Sequence, residues 1–265
     1  MNSDLDQAKL LGRWLQDRTS TRIEPFHWGR ALFNDEIPER FFSNFVRVER
    51  SLAGVKVVDL VRETDRSMAG LGHRQIQIHD ELDGARVAED LGAAGYGAER
   101  SATLAHRRQP DRTHDLGLVE ELPHAAVRSF LTEVYRRTLT DAGSQVVDRF
   151  ADFRHVVQQL VGTRFFAQRI DGTVAGLCEL YVHDRVAQVE HVDTLEEFRG
   201  RGIASSLVLR AVAEARMAGA DLVCIEADLE DWPISLYRRL GFVEIGRSWA
   251  FTKPPASPPA DGQVR

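Results

Sequence analysis

Cysteine is nearly absent from this chain. Only Cys178 and Cys224 occur in 265 residues, each inside an apolar run. A disulfide-stapled scaffold is therefore excluded, and two buried free thiols in a reducing compartment are expected. Long apolar runs are missing too, for none approaches the roughly 20 residues that cross a bilayer. The amino terminus, Met1-Asn-Ser-Asp-Leu-Asp6, is acidic and has no apolar stretch of the kind a signal peptide needs. These absences predict a cytoplasmic protein with no membrane partner. A surplus of positive charge is absent as well. The formal net charge is −6 and the arginines are interleaved with acids, which argues against a nucleic-acid partner. The nine histidines form neither His-Glu-x-x-His nor a Cys/His cluster, so no metal is predicted.

What is present suits a soluble globular protein with a full core: 43% hydrophobic and 28% charged residues. The length allows one large domain or two ordinary ones. The polar segment His106–His114, with Pro110 inside it, reads as a boundary. It predicts a first domain over 1–108, a linker over 109–114 and a second domain over 115–253. A Pro-rich tail over 254–265 is predicted to be disordered.

Periodicity fills in the second domain. Leu116–Leu122 alternates like a strand, and His124–Thr138 and Ser144–Leu160 carry helical apolar stripes. Phe165–Ile170 and Thr173–Tyr181 form a hairpin around Asp171-Gly172, a favoured two-residue turn. Val186–Thr194 is a third strand and Ile203–Met217 a helix closed by Gly219. Leu222–Ala227, a short helix Pro233–Leu240 and a last strand Phe242–Thr252, with a break expected near Gly246, complete a mixed α/β order. The first half repeats part of it. Leu71–Ile78 resembles the entry to Leu222, Leu82–Ala94 is helical, and Gly95-Tyr96 falls where Gly241-Phe242 falls. Such self-similarity suggests a duplicated unit. The copies differ in chemistry: Arg50–Val55 stands for Arg199–Ala204, and Leu91 stands for Tyr237.

The most informative stretch is Glu197-Phe-Arg-Gly-Arg-Gly-Ile-Ala-Ser-Ser206, between strand and helix. Glycines at such a turn expose backbone N–H groups, and the helix adds about half a positive charge at its N-terminus. The combination is an anion cradle. A P-loop would need Gly-x-x-x-x-Gly-Lys-Ser/Thr, which does not occur. A dinucleotide fingerprint lacks its last glycine at Ser205, and too little chain follows Gly202 for two βαβαβ halves.

Two motifs together carry a resemblance. Arg199-Gly-Arg-Gly-Ile-Ala204 matches Arg/Gln-x-x-Gly-x-Gly/Ala, and Ser235-Leu-Tyr-Arg-Arg-Leu-Gly-Phe-Val243 closes the same pattern. Over residues 115–253 the chain resembles the GNAT N-acetyltransferase superfamily, and the uneven repeat resembles its tandem form with a degenerate first copy. The resemblance implies a mixed, mostly antiparallel sheet with flanking helices, preceded by a partial GNAT-like domain. It implies acetyl-CoA as cofactor and acetyl transfer to a primary amine by direct attack in a ternary complex. The alternative is a non-catalytic acyl-CoA sensor. The acceptor would be a small molecule or a peptide amine, and the protein a monomer or homodimer.

Site residues follow from the same resemblance. Backbone N–H groups of Arg199, Gly200, Arg201, Gly202, Ile203, Ala204 and Ser205 would hold the pyrophosphate. Val192, Asp193 and Thr194 would bond the pantetheine arm, admitted by a splay toward Leu222–Ala227. Tyr237 takes the general-acid position, with packing on its helix as the other role open to it. Glu190 is the candidate base; alternation puts it on one face with Val192, and His191 and Asp193 on the other. His191 is a rival base. Asp231 stands where the family often has Asn, so a cofactor contact and a helix cap are both open. The side chains of Arg199 and Arg201 face either phosphate or solvent, and Trp232 either packs in the core or walls the substrate site.

Overall fold

The computed structural model describes residues 3–140 and 142–255. Seven α-helices run over Asp4–Thr19 (α1), Val57–Ser67 (α2), Glu81–Ala93 (α3), His124–Thr138 (α4), Ser144–Val161 (α5), Ile203–Met217 (α6) and Pro233–Arg239 (α7). The strands are Arg22–Phe26 (β1), Gly29–Phe33 (β2), Phe45–Val48 (β3), Arg74–Ile78 (β4), Gly97–His106 (β5) and Val119–Leu122 (β6). Then come Arg164–Ile170 (β7), Thr173–His183 (β8), Val186–Thr194 (β9), Leu222–Asp228 (β10) and Phe242–Lys253 (β11). Among the described residues no helix is long and apolar enough to cross a membrane. Of the tail expected over 254–265, residues 256–265 lie outside the described residues.

Predicted edges mostly hold. β6 starts later than expected, at Val119, because the Asp115 side chain accepts the Gly117 N–H and makes a turn there. β11 runs unbroken through Gly246. Cys178 and Cys224 are buried and free.

The chain divides into two units at places the linker did not suggest. One comprises the chain up to Thr19 together with Ser101–Gly246; the other comprises Ser20–Arg100 together with the segment from Arg247 onward. Thus α1, which the boundary at 108 assigns to the first half, packs in the larger unit. Its Ala8 and Leu11 cover Ala105, Val186, Leu222 and Cys224. The strands closing each half are also exchanged. β10 pairs with β5, at Cys224↔Ala105 through Asp228↔Ser101, and β4 pairs with β11, at Ile78↔Trp249 through Arg74↔Lys253.

In the larger unit the sheet order is β6-β7-β8-β9-β10-β5-β11; β6 through β9 pair antiparallel, as do β10 and β5, and β9 and β10 run parallel. Helix α6 lies on one face. It is apolar almost all round, as a buried helix must be, and Ile203, Leu207, Val208 and Ala211 pack against Cys178, Leu180, Val189 and Ile225. On the other face Val127, Phe130 and Ala151 of α4 and α5 cover Phe165, Ala167 and Leu177. Both faces of β8 are therefore covered, so it reads as a continuous apolar run, interrupted only by Glu179.

The smaller unit has the order β1-β2-β3-β4-β11, with β3 and β4 parallel. Its succession β3-α2-β4-α3-β5 matches β9-α6-β10-α7-β11, the duplicated order. The register of the loop differs from the expected one. Gly54, at φ +77°, lies three residues before α2, as Gly200, at φ +75°, lies three before α6. In this copy the buried Asp83 carboxylate accepts the Leu52 N–H at 3.0 Å and so ties the loop to α3.

Gly241 fixes the turn between α7 and β11. Its φ is +96°, and its carbonyl accepts the N–H groups of Arg107 and Arg108 at 3.0 and 3.1 Å. A Cβ there would sit 2.1 Å from the Arg108 carbonyl oxygen, which is backbone and cannot swing away. Gly241→Ala is expected to destabilise by about 2–4 kcal/mol, from left-handed strain plus the clash. A urea midpoint within error of the parent would refute this account of the turn.

Candidate active site

β9 and β10 pair only from Val186↔Leu222 to Val189↔Ile225 and then part. From Glu190 to Thr194, β9 keeps its pairing with β8 alone, so the peptide groups facing the gap have no strand partner. This fork is the splay expected from sequence.

The alternation along β9 fails at the same place. Glu190 stands opposite Glu179 and Asp193 opposite Leu177, so His191 and Val192 together oppose Cys178. That is a β-bulge, with His191 at φ +49°. The facing of side chains is therefore corrected. Glu190 and Asp193 share the face of Glu179 and Leu177, whereas Val192 joins the core beneath α6. His191 turns its Nδ1 to within 3.6 Å of the Glu179 carboxylate. Nothing in the sequence announces the bulge, although histidine visits positive φ more readily than most residues.

The glycine loop follows. Gly200 and Gly202 have φ of +75° and +81°, and Gly202 leads into α6 with no side-chain cap. The first backbone donors of α6 are thus left open at Ile203, Ala204 and Ser205. The arginine side chains turn back onto the loop instead of reaching outward. Arg199 Nε donates to the Thr194 carbonyl at 3.3 Å; Arg201 donates to the Glu197 carbonyl at 3.4 Å and covers the Phe198 ring.

The carboxyl groups at the fork are unusually weak acids. Burial pushes half-buried Glu190 up to about 8, reinforced by Glu226 and Glu179 and opposed by the Gln188 amide, which donates to it, and by Arg154. Burial likewise raises Asp193, with Glu179 adding and Arg199 opposing. Glu226 keeps solvent access, yet desolvation raises it as well, against a long 3.4 Å hydrogen bond from Thr103. Tyr237 is 7% exposed, and its hydroxyl is held above the ordinary phenol range by burial and then by Glu190 and Asp193. The structure thus brings Tyr237 and Glu190 into one electrostatic neighbourhood, and the phenol stays protonated.

Three further residues escaped the sequence argument. Arg154 of α5 is buried and donates from Nε to Glu179 Oε1 at 2.8 Å, while its terminal nitrogen reaches Glu179 and the Tyr181 hydroxyl. Burial would raise Glu179, but Arg154 outweighs it and brings the carboxyl down to about 2. A usable signal was present: one acid inside the apolar run of β8 and one arginine on the apolar stripe of α5. Charges at core positions require a partner. Asp231, by contrast, is turned onto the backbone just before α7: its carboxylate accepts the Trp232 N–H at 2.7 Å, and α7 itself starts without a side-chain cap. Trp232 is 65% exposed, so its expected core packing is corrected.

Residues 162–244 match the family model of the acetyltransferase (GNAT) domain. The N-alpha-acetyltransferase MAK3 of Arabidopsis thaliana is 29% identical over 102 residues, 37% of this chain and 53% of that protein. The match thus spans about half the length of that curated relative. A GCN5-related N-acetyltransferase from Kribbella flavida superposes with a TM-score of 0.61 at 20% identity, over 94% of this chain and 96% of that one. A tandem GNAT protein from the clavulanic acid biosynthesis pathway gives 0.53 at 14% identity, over 96% and 97%. At such identities these two structures show the fold alone.

Proposed function

We propose, from the GNAT acetyltransferase domain at residues 162–244, that this protein transfers an acetyl group from acetyl-CoA to a primary amine by direct attack in a ternary complex. The observation that carries the proposal is the fork between β9 and β10, which opens beside the uncapped start of α6 and holds Glu190 and Tyr237.

The residues fit an acyl-CoA. Unpaired peptide groups along Val192–Thr194 suit the amide-bearing pantetheine arm, and the Thr194 hydroxyl is enclosed there without a hydrogen-bond partner. The open donors of Gly200–Ser205 suit a pyrophosphate. Asp231 is left out of the cofactor contacts because its carboxylate is engaged with the Trp232 N–H. When bound, acetyl-CoA supplies an acyl group activated as a thioester.

An alkyl ammonium has a pKa of about 10.4, so presenting the free amine at pH 7 costs roughly 4–5 kcal/mol. Glu190, pushed up to about 8, is matched to that proton far better than an ordinary glutamate. Below that value it is protonated and cannot accept. kcat is therefore expected to rise with pH and level off above about 8, about tenfold per unit on the limb. Glu190→Gln should abolish the limb and lower kcat about 10²–10⁴-fold. A pH–kcat profile that keeps its limb in Glu190→Gln would remove Glu190 as the base. Tyr237 donates a hydrogen bond to the departing sulfur; held above the phenol range, it does not ionise in doing so.

A further inference from the structure

The fork holds more carboxyl groups than proton removal requires. Arg154 neutralises Glu179, and Glu190 suffices to take one proton. Asp193 and Glu226 remain. Asp193 shares the face of Glu190 through its register with β8, and Glu226 is the first β10 residue beyond the last β9 partner, on the side of Cys224 and Leu222. Val186 lies on that side of β9, so Glu190, two steps of alternation further along, lies there as well. The chain then runs on through Asp228, Glu230 and Asp231 to the exposed ring of Trp232. The loop arginines are committed elsewhere, to the carbonyls of Thr194 and Glu197. A second observation points to a ligand at this spot. The Tyr237 side chain is 7% exposed, its hydroxyl has no hydrogen bond among the described residues, and the acids that act on it are Glu190, Asp193 and Asp231.

We propose that the acceptor is an amine bearing at least one further positive charge, which Glu226 and Asp193 hold while Glu190 takes the proton from the reacting nitrogen and Trp232 offers an aromatic face at the rim. The proposal rests on the acetyl-transfer function above and narrows it. A second cation would neutralise acids that are in no ion pair among the described residues, and a cation over an indole face is favourable. An amine with an uncharged tail would leave those acids as they are.

The test uses the full chain with acetyl-CoA and three matched amines: butylamine, the corresponding diamine and a linear triamine. At low salt the diamine should exceed butylamine in kcat/KM by at least about tenfold, and added salt should shrink the gap. Glu226→Gln should cut the preference for the diamine, its kcat/KM divided by that of butylamine, about tenfold through a higher diamine KM, a ratio in which any effect on Glu190 common to both amines cancels. The triamine alone should also raise the melting temperature of the parent, and less so that of Glu226→Gln. Equal kcat/KM for butylamine and diamine, with no melting shift, overturns the proposal and leaves acetyl transfer standing. A melting shift that needs Glu226, without turnover of any amine, supports the cationic ligand and sinks acetyl transfer instead. No shift and no turnover sinks both.

Discussion

Arg154→Met should destabilise the protein by about 3–5 kcal/mol, the usual result of leaving a buried charge without its partner. The side chains of Arg154 and Glu179 are 2% and 0% exposed, so water cannot replace the lost guanidinium. The double variant Arg154→Met/Glu179→Met should recover most of the loss, because an apolar pair of similar size needs no desolvation to be offset. Urea unfolding of the three variants decides it; a double variant no better than the single one would show that the arginine matters through packing. The sign with pH is also fixed. Glu179 is depressed to about 2, so its contribution is complete above the ordinary glutamate value and is lost as pH falls toward about 2. In Arg154→Met that acid limb should disappear. The pair also positions the bulge, because His191 rests its Nδ1 against the same carboxylate.

The second large effect is catalytic. Tyr237→Phe removes one oxygen from a buried ring whose own hydrogen-bond partner is absent among the described residues, so folding should be little changed. If the phenol donates to the leaving sulfur, kcat should fall about 10²-fold while KM for both substrates stays within a factor of about two. An unchanged kcat would leave Tyr237 with its packing near Phe242, whose ring centroid lies 6.2 Å away, as its only role.

Local order was legible where one segment carries its own instructions. The bounds of α4, β9 and α6 follow from apolar periodicity, and the glycine turn at Gly200 and Gly202 follows from its residues. The site was half legible. Tyr237, Glu190 and the loop could be placed by motif, and the structure puts them around one fork. What stayed hidden depends on partners far away in sequence. The bulge at His191 exists only against β8, the role of Glu179 only against Arg154, and the acid strength of Glu190 only through its burial in the fork, with Glu226 beside it. The division of the chain was misplaced for a similar reason. A polar stretch marks where the chain leaves a strand, whereas the units are set by which strands pair, and β5 and β11 each close the sheet of the other half.

That exchange of closing strands governs how the protein can come into being. As the chain leaves the ribosome, β4 has its parallel neighbour β3 at hand, but its other partner, Trp249–Lys253, is made more than a hundred residues later. Likewise α1 is synthesised early and waits for Val186, Leu222 and Cys224. Neither half can finish alone, so closure is delayed until nearly all the described chain is free, and pairings so distant in sequence make it slow. A fragment cut at the linker would lose α1 and β5 from the larger unit, leave an edge of β10 bare and invite aggregation.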